Sequence, residues 1–418
     1  MAVLYSPPEW ILYPLFFLIF FTSVFYLFIF LKKEKDIKDT NLHQDICIII
    51  PAKNVQKTLK KCVESIILQE YTGKISVLIV NDASEDDTFK IAEDLKKNYS
   101  QNNRNIEILN RTESNNIKST VINFGLNYIF SRENIPELIG TIDADTFLSK
   151  DVLKNAVLHF NDKKIMAVTS WMVPENKKNF WTRMQKIEYM MVSFFRYLLG
   201  KVQALCIAPA FHIFRSEFFK THNFYDGNTL TEDFEIALRV KSFGYNIAFV
   251  ENKVTTVVPE KFQALRKQRL RWWYGTFQNL INYKHLISPK YGVFGMFFLP
   301  VSVILSNILM MFAFIIIIYG IIVNIFNIIY DLSIGLVPRF MFDINLFGLT
   351  VFFSDPRIIF SLFGIIIFIV FLFLACQKGN EKINFIDYFL FTSVYGWVLT
   401  AFCFEMLLKW AFRVKINW

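Results

Sequence analysis

Asp143 and Asp145, with Ala144 between them, directly follow the apolar run Leu138 to Ile142. Two carboxylates spaced this way at a strand end can face one hard cation. Mg2+ or Mn2+ suits such oxygen-only ligation and commonly shares its shell with substrate phosphates. That ion neutralises the charge building on a departing nucleoside diphosphate. Asp82 closes a second apolar run, and Pro51-Ala52-Lys53-Asn54 closes a third. One Asp after a strand is ordinary turn chemistry, whereas several on one edge point to a site. Thr231-Glu232-Asp233 opens a helical stretch that runs through Val240. One reading is a helix start, with Thr231 as cap and the acids in the first turn. The other makes Asp233 a general base for an acceptor hydroxyl, and the two are compatible because a cap fixes the direction of the carboxylate. Gln268-Arg269-Leu270-Arg271-Trp272 lies in a basic, aromatic segment from Lys261 to Leu286. It reads as an amphipathic helix on a membrane surface, or as two guanidinium groups closing over a diphosphate beside an indole that stacks on a sugar.

The elements that would carry these residues alternate. Ile46 to Ile50 is a short β-branched run, the pattern of a buried parallel strand, and Ile75 to Val80, Asn105 to Leu109 and Leu138 to Ile142 read as further strands. Between them, Thr58 to Leu68, Asp86 to Lys97 and Ile117 to Phe130 have helical spacing. Strand and helix alternating at this length build a parallel, doubly wound α/β sheet, whose ligands bind at the carboxyl ends of the strands. No P-loop or G-x-G-x-x-G pattern is present, five scattered cysteines form no C-x-x-C pair, and the five histidines show no ligand spacing. Phe180 to Leu199 reads as a second amphipathic helix on the membrane surface.

Both ends of the chain read as membrane. Only 19% of residues are charged and 54% are apolar, against about 25% charged in soluble domains. Trp10 to Leu31 is uncharged for 22 residues, roughly 33 Å as a helix and enough to cross a hydrocarbon core. Lys32, Lys33, Lys35 and Lys38 follow it, which puts what comes next in the cytoplasm. Val293 to Tyr330, Ile358 to Cys376 and Ile383 to Leu408 are further apolar runs, the last broken by Asp387 and Glu405 near its ends. Gly335 to Phe353 reads as a loop or re-entrant piece. Four or five spans in total are expected, the first included, in a multi-pass plasma-membrane protein. The net charge of +9 suits a face against anionic lipid and an anionic substrate; no nucleic-acid motif accompanies it.

Together these residues resemble the membrane-embedded family-2 glycosyltransferases, the group of cellulose, chitin, hyaluronan and poly-N-acetylglucosamine synthases. The resemblance rests on Asp82, Asp143-x-Asp145, Thr231-Glu232-Asp233 and Gln268-Arg269-x-Arg271-Trp272 between apolar ends. It implies a GT-A fold, Rossmann-like with a mostly parallel sheet, as a cytoplasmic domain inserted between transmembrane α-helices. The expected divisions are residues 1–32 for the first span, 33–260 for the GT-A domain, 261–292 for interface helices and 293–418 for the remaining spans. It implies a UDP-sugar donor, inversion in one in-line displacement, and Mg2+ or Mn2+ on Asp145 with Asp143. It further implies Ala52, Asn54, Asp82, Lys118, Asp143, Gln268, Arg269, Arg271 and Trp272 on the nucleotide and diphosphate, Glu232, Trp272 and Phe211 at the acceptor, and Asp233 as base.

Two departures stand out. Pro51-Ala52-Lys53-Asn54-Val55 replaces a P-x-Y-N-E pattern, and Ala208-Pro209-Ala210-Phe211 replaces a Ser-Gly step. Proline stiffens that turn and removes an N–H, so the acceptor is expected to differ in detail. A growing β-linked polysaccharide, with export through the spans, is the first reading of the acceptor. A single addition to a ceramide- or polyprenyl-type lipid is the alternative, and a scaffold or transporter with a degenerate domain is a third. The sequence names no auxiliary export or assembly subunit.

Overall fold

The computed structural model describes residues 9–33, 43–101, 103–206, 210–335, 356–412 and 414. The first helix, α1 (Glu9–Leu31), leads to β1 (Ile46–Ala52), in which every residue but Pro51 is buried. That burial is why the strand is a continuous apolar run rather than an alternating one. The chain then adds α2 (Leu59–Ile67), β2 (Ile75–Asp82), α3 (Thr88–Tyr99), β3 (Arg104–Arg111), α4 (Lys118–Phe130) and β4 (Leu138–Ile142). These four strands lie in the order β3-β2-β1-β4, all parallel, as the alternation predicts.

The second half of the sheet differs from that expectation. After β5 (Thr146–Leu148), α5 (Val152–Leu158), β6 (Ile165–Pro174) and α6 (Phe180–Lys201), β7 (Phe211–Arg215) inserts antiparallel between β4 and β6. After α7 (Ser216–Thr221) and α8 (Glu232–Ser242), β8 (Asn246–Thr256) pairs parallel with β6 and antiparallel with β5. The eight-stranded sheet β3-β2-β1-β4-β7-β6-β8-β5 is therefore mixed. Its registers decide what meets at the carboxyl edge. Ala52 lies opposite Asn81, Ile142 opposite Phe211, and Thr146 opposite Thr256. The Asp143–Asp145 turn is thereby tied on both sides, Asp143 N donating to Ala210 O (2.9 Å) and Val257 N to Asp145 O (3.1 Å).

Helices cover both faces. One core holds Leu59, Cys62 and Ile66 of α2, Leu95 of α3 and Leu153 of α5. The other holds Ile122 of α4, Met184, Met191 and Phe194 of α6 and Ile236 of α8. α6 is thus not a surface helix. Its far side carries Phe195 and Phe194 against Phe371 (ring centroids 6.0 and 5.7 Å) of α11 (Pro356–Lys378). α9 (Phe262–Asn282) follows β8 and packs against α8. A π-helical turn, Phe294–Leu305, then passes into α10 (Ser306–Ser333), and after α11 come α12 (Phe385–Leu390), a short π-helical turn (Phe391–Tyr395) and α13 (Gly396–Ala411).

Among the described residues, two continuous helices, Phe294–Ser333 and Phe385–Ala411, are long and apolar enough to cross a membrane, while Phe16–Leu31 and Leu362–Lys378 are shorter apolar stretches. α1 packs along α11 through Phe20, which meets Phe360 at 5.2 Å and Phe363 at 4.9 Å. Charges in the C-terminal run are paired with the α/β domain. Asp387 meets Arg183 (3.3 Å), and Glu405 meets Arg266 and, at 2.7 Å, Lys409. Such pairing is the usual state of ionisable groups among apolar helices. The stretch expected to form a loop or re-entrant piece, from residue 336 on, lies outside the described residues, as do Ala208, Pro209, Arg413 and Lys415.

Candidate active site

A cleft opens at the carboxyl edge, enclosing ≈ 560 Å³ counted out to open solvent. Lys118, Asp143, Asp145, Glu232, Asp233, Gln268, Arg271 and Trp272 line it, joined by Met172, Tyr189, Ala210, Leu230, Thr231, Thr256 and Val257. β4 delivers the Asp143-x-Asp145 turn, α8 begins at Glu232, Lys118 is the first residue of α4, and α9 supplies Gln268, Arg271 and Trp272. Three motifs separated by some 85 and 35 positions in the chain are therefore one site.

Lys118 stitches two of them together. Its Nζ lies 2.5 Å from Asp143 Oδ1 and 3.1 Å from Glu232 Oε1. Burial would depress the lysine, but Asp143 and Glu232 overcome it and hold the pKa above the ordinary value. Burial raises Asp233 to about 6, with Glu232 adding to the effect and Lys118 opposing it. Phe234 N donates to Asp233 Oδ1 at 2.8 Å and fixes the carboxylate. Burial likewise lifts Asp145 to about 6, aided by Asp143. Carboxylates poised this near neutrality mark acid–base and metal sites.

The donor set can be weighed for a cation. Four lining carboxylates (Asp143, Asp145, Glu232, Asp233) face two lining cations (Lys118, Arg271), a formal excess of two negative charges. Thr146 Oγ1 reaches Asp145 Oδ1 only at 3.4 Å. The oxygen chemistry of Asp145 and Asp143 fits a hard divalent ion, and these are the residues that could hold one. Among the described residues no group of three or more His, Cys, Asp or Glu is arranged to hold a metal, so most of such a shell has to come from substrate oxygens and water.

The other sequence-predicted residues lie elsewhere. Ala52, Asn54 and Asp82 sit on the same sheet edge but outside the cleft lining. Asp82 is buried and engaged by Arg111 Nη1 and Ser114 Oγ, each at 2.5 Å. Asn54 has left-handed backbone (φ 53°), and its Oδ1 accepts from Glu85 N at 2.9 Å. Two expectations require correction. Phe211 is 1% exposed and belongs to the core cluster that also holds Ile48, Ile50 and Ile213, because alternation along β7 puts it with Ile213 on that face of the sheet. It does not reach the cleft. The apolar wall there is Met172, Tyr189 and Ala210, against which Trp272 packs. Arg269 is 2% exposed and does not line the cleft either. It donates to Glu188 Oε2 (2.7 Å) and Gln268 Oε1 (2.6 Å), and its guanidinium lies 4.2 Å from the Trp272 ring centroid. Tyr395 donates to the same Glu188 oxygen at 2.6 Å. Arg269 thus locks two cleft residues from behind, whereas Arg271 is exposed on the cleft side.

Tyr189, Glu188 and Met172 are cleft or supporting residues that sequence reasoning missed. Tyr189 lies in the amphipathic α6 segment, where only its exposure to a cleft distinguishes it from a core aromatic. Ala210, beside Asp143, has φ +73°, a left-handed backbone that costs a non-glycine residue energy and is typical of functional sites.

Residues 43–275, more than half of the chain, match the family described as glycosyltransferase like family 2. The chain belongs to this family. Poly-beta-1,6-N-acetyl-D-glucosamine synthase of Staphylococcus epidermidis is 28% identical over 284 residues, 64% of this chain and 65% of the relative. The synthase of the same name from Staphylococcus aureus (strain COL) is 25% identical over 257 residues, 60% of this chain and 59% of the relative. The chain thus matches somewhat under two thirds of the length of these relatives. Among solved structures, the mannosyltransferase PcManGT from Pyrobaculum calidifontis, in complex with GDP-Man and Mn2+, is similar with a TM-score of 0.57 at 16% identity, covering 88% of this chain and 95% of that one. At that identity the likeness speaks for the fold alone: the family-2 domain has a GT-A-like α/β fold with a mixed sheet.

Proposed function

We propose that this family-2 protein is a membrane-bound, inverting glycosyltransferase that moves a sugar from a UDP-sugar to a growing β-linked polysaccharide. N-acetylglucosamine is the first sugar to test, because the matching Staphylococcus proteins carry the name of poly-beta-1,6-N-acetyl-D-glucosamine synthases. The observation that carries the reading is the convergence of Asp143, Asp145 and Asp233 on one cleft, where Lys118 bridges Asp143 to Glu232, the neighbour of Asp233.

In this reading Asp233 accepts the proton of the acceptor hydroxyl as its oxygen attacks the anomeric carbon. The bond from that carbon to the diphosphate oxygen breaks on the opposite side, the nucleoside diphosphate leaves, and the configuration inverts. Lys118 and Arg271 meet the charge that develops on the leaving group. A divalent ion on Asp145 and Asp143 would add further neutralisation of the diphosphate when bound; the mannosyltransferase of like fold is described with Mn2+. Asp82, Ala52 and Asn54 serve the nucleoside end, and Trp272 with Tyr189 flanks the acceptor sugar. The bilayer holds Phe294–Ser333 and Phe385–Ala411, with α1 and α11 beside them, and the catalytic domain lies on the cytoplasmic side of the plasma membrane, where Lys32 and Lys33 follow α1.

The test incubates membranes containing the full chain with UDP-N-acetylglucosamine, UDP-glucose, UDP-galactose or UDP-glucuronic acid, following UDP release and product size. A high-molecular-weight product that disappears with Asp233→Asn is expected. UDP release with none of the four, or a single lipid-soluble product, overturns the polysaccharide reading.

A further inference from the structure

We infer that α9, beyond lining the cleft, clamps the loop that carries the proposed base, with Gly275 and Asn279 as positioning residues for Asp233. Gln268, Arg271 and Trp272 fall at helical spacing, and the same face continues to Gly275 and Asn279, one and two turns on. Both are buried and neither lines the cleft. What they touch is the segment just before Asp233.

Thr231 occupies the position from which a threonine hydroxyl commonly caps a helix, yet its side chain makes no capping bond to α8. Its Oγ1 instead accepts from Asn279 Nδ2 at 3.1 Å, and its carbonyl accepts from the same nitrogen at 3.2 Å. Asn279 Oδ1 in turn accepts from Thr229 Oγ1 at 3.0 Å. One fully buried amide thus makes three bonds to two residues of a single loop. A buried amide so satisfied is stiff, since losing any partner leaves a polar atom stranded.

Gly275 makes this approach feasible. A Cβ there would lie 2.5 Å from Thr231 Oγ1 and 2.7 Å from Thr231 Cγ2, where ordinary contact begins near 3.4 Å. Any side chain at 275 therefore drives Thr231, two residues from Asp233, outward by about 1 Å, a displacement that can cost on the order of 10²-fold in rate. The helix that presents Arg271 and Trp272 to the cleft thus also sets where the base stands. The distance between base and acceptor end becomes a property of one rigid element.

The inference rests on Asp233 being the base, and the experiment separates the two. In membranes carrying equal amounts of full-length protein, kcat and donor KM are measured with UDP-N-acetylglucosamine. Gly275→Ala is expected to lower kcat on the order of 10²-fold with donor KM unchanged, the pattern of a lost transition-state geometry. Adding Thr231→Ala to Gly275→Ala removes both atoms in the way and is expected to recover much of that loss. A merely structural glycine would show no such rescue. Thr229→Val, which deletes one hydroxyl, decides the matter should Gly275→Ala fail to accumulate: lower kcat at unchanged donor KM supports the clamp. Wild-type kcat in Gly275→Ala or Thr229→Val, or a double variant no faster than the single, overturns it. Turnover that survives Asp233→Asn sinks the base assignment itself, whereas an inactive Asp233→Asn beside a fully active Gly275→Ala refutes only the clamp.

Discussion

Replacing Asp233 by asparagine should abolish transfer and at the same time stabilise the fold. Burial and the adjacent Glu232 raise this carboxyl from 3.8 to about 6. A carboxyl whose folded pKa exceeds its unfolded value binds its proton more tightly in the native state, so its contribution to stability is full below pH 3.8 and is lost as pH rises through about 6. At pH 7 the ionised group is a net cost. Two pKa units set an upper bound of about 3 kcal/mol, and solvent access at a half-buried side chain reduces the expected gain from Asp233→Asn to roughly 1 kcal/mol. Activity has the opposite sign, because only the ionised form accepts a proton. Wild-type kcat should fall about tenfold from pH 7 to pH 5, the ionised fraction dropping from about 90% to about 10%. Thermal unfolding of detergent-solubilised protein at pH 7 and at pH 4 measures the first effect, and UDP release across pH 5 to 8 measures the second. A variant that is inactive and also less stable at pH 7, or a wild-type rate that is flat down to pH 5, would refute the role given to this carboxylate.

Asp145→Asn should eliminate turnover while the protein still accumulates in the membrane, and wild-type UDP release should cease with EDTA; activity persisting under EDTA contradicts the ion site. Arg271→Ala should reduce transfer at an unchanged protein level. Arg269→Ala should instead lower the level, since it removes the cation that neutralises the largely buried Glu188 and leaves that carboxylate only the Tyr395 hydroxyl; immunoblots beside UDP-release assays distinguish the two. Ala210→Gly relaxes a left-handed residue and should raise the unfolding temperature by an amount corresponding to about 1 kcal/mol; a lower unfolding temperature would show that φ +73° is not strained there.

Much of the site could be read from local chemistry. Continuous β-branched runs announce strands buried on both faces, so β1, β2 and β4 were legible to within a few residues, and the edge strand β3, of which only Ile106 is buried, was legible from its place in the alternation. The polar residues that stop them are necessarily at the edge where ligands bind in a wound sheet. Asp143 and Asp145 lie there and meet Asp233, Arg271 and Trp272 in one cleft, whereas only the family resemblance places Lys118 and Gln268 there, and Asp82, which also ends a strand, lies outside the lining. The mixed half of the sheet was not legible, because β7 is placed by pairing with β4 across some seventy residues, and nothing in a five-residue apolar strand encodes its direction.

Direction also separates the residues that face the cleft from those that do not. Arg269 and Arg271 stand about 200° apart on a helix, so only one of them can face a cleft on its surface. The rotation of α9 against Glu188 and Tyr395 chose Arg271. Phe211 was turned under the sheet in the same way, by its register opposite Ile142. Residue type and order set which groups are capable of this chemistry and which segments are strands, helices or apolar spans, because those depend on neighbours close in the chain. Which face of each element meets the cleft depended on packing between elements far apart in the chain, where burial of the apolar majority fixes every rotation at once.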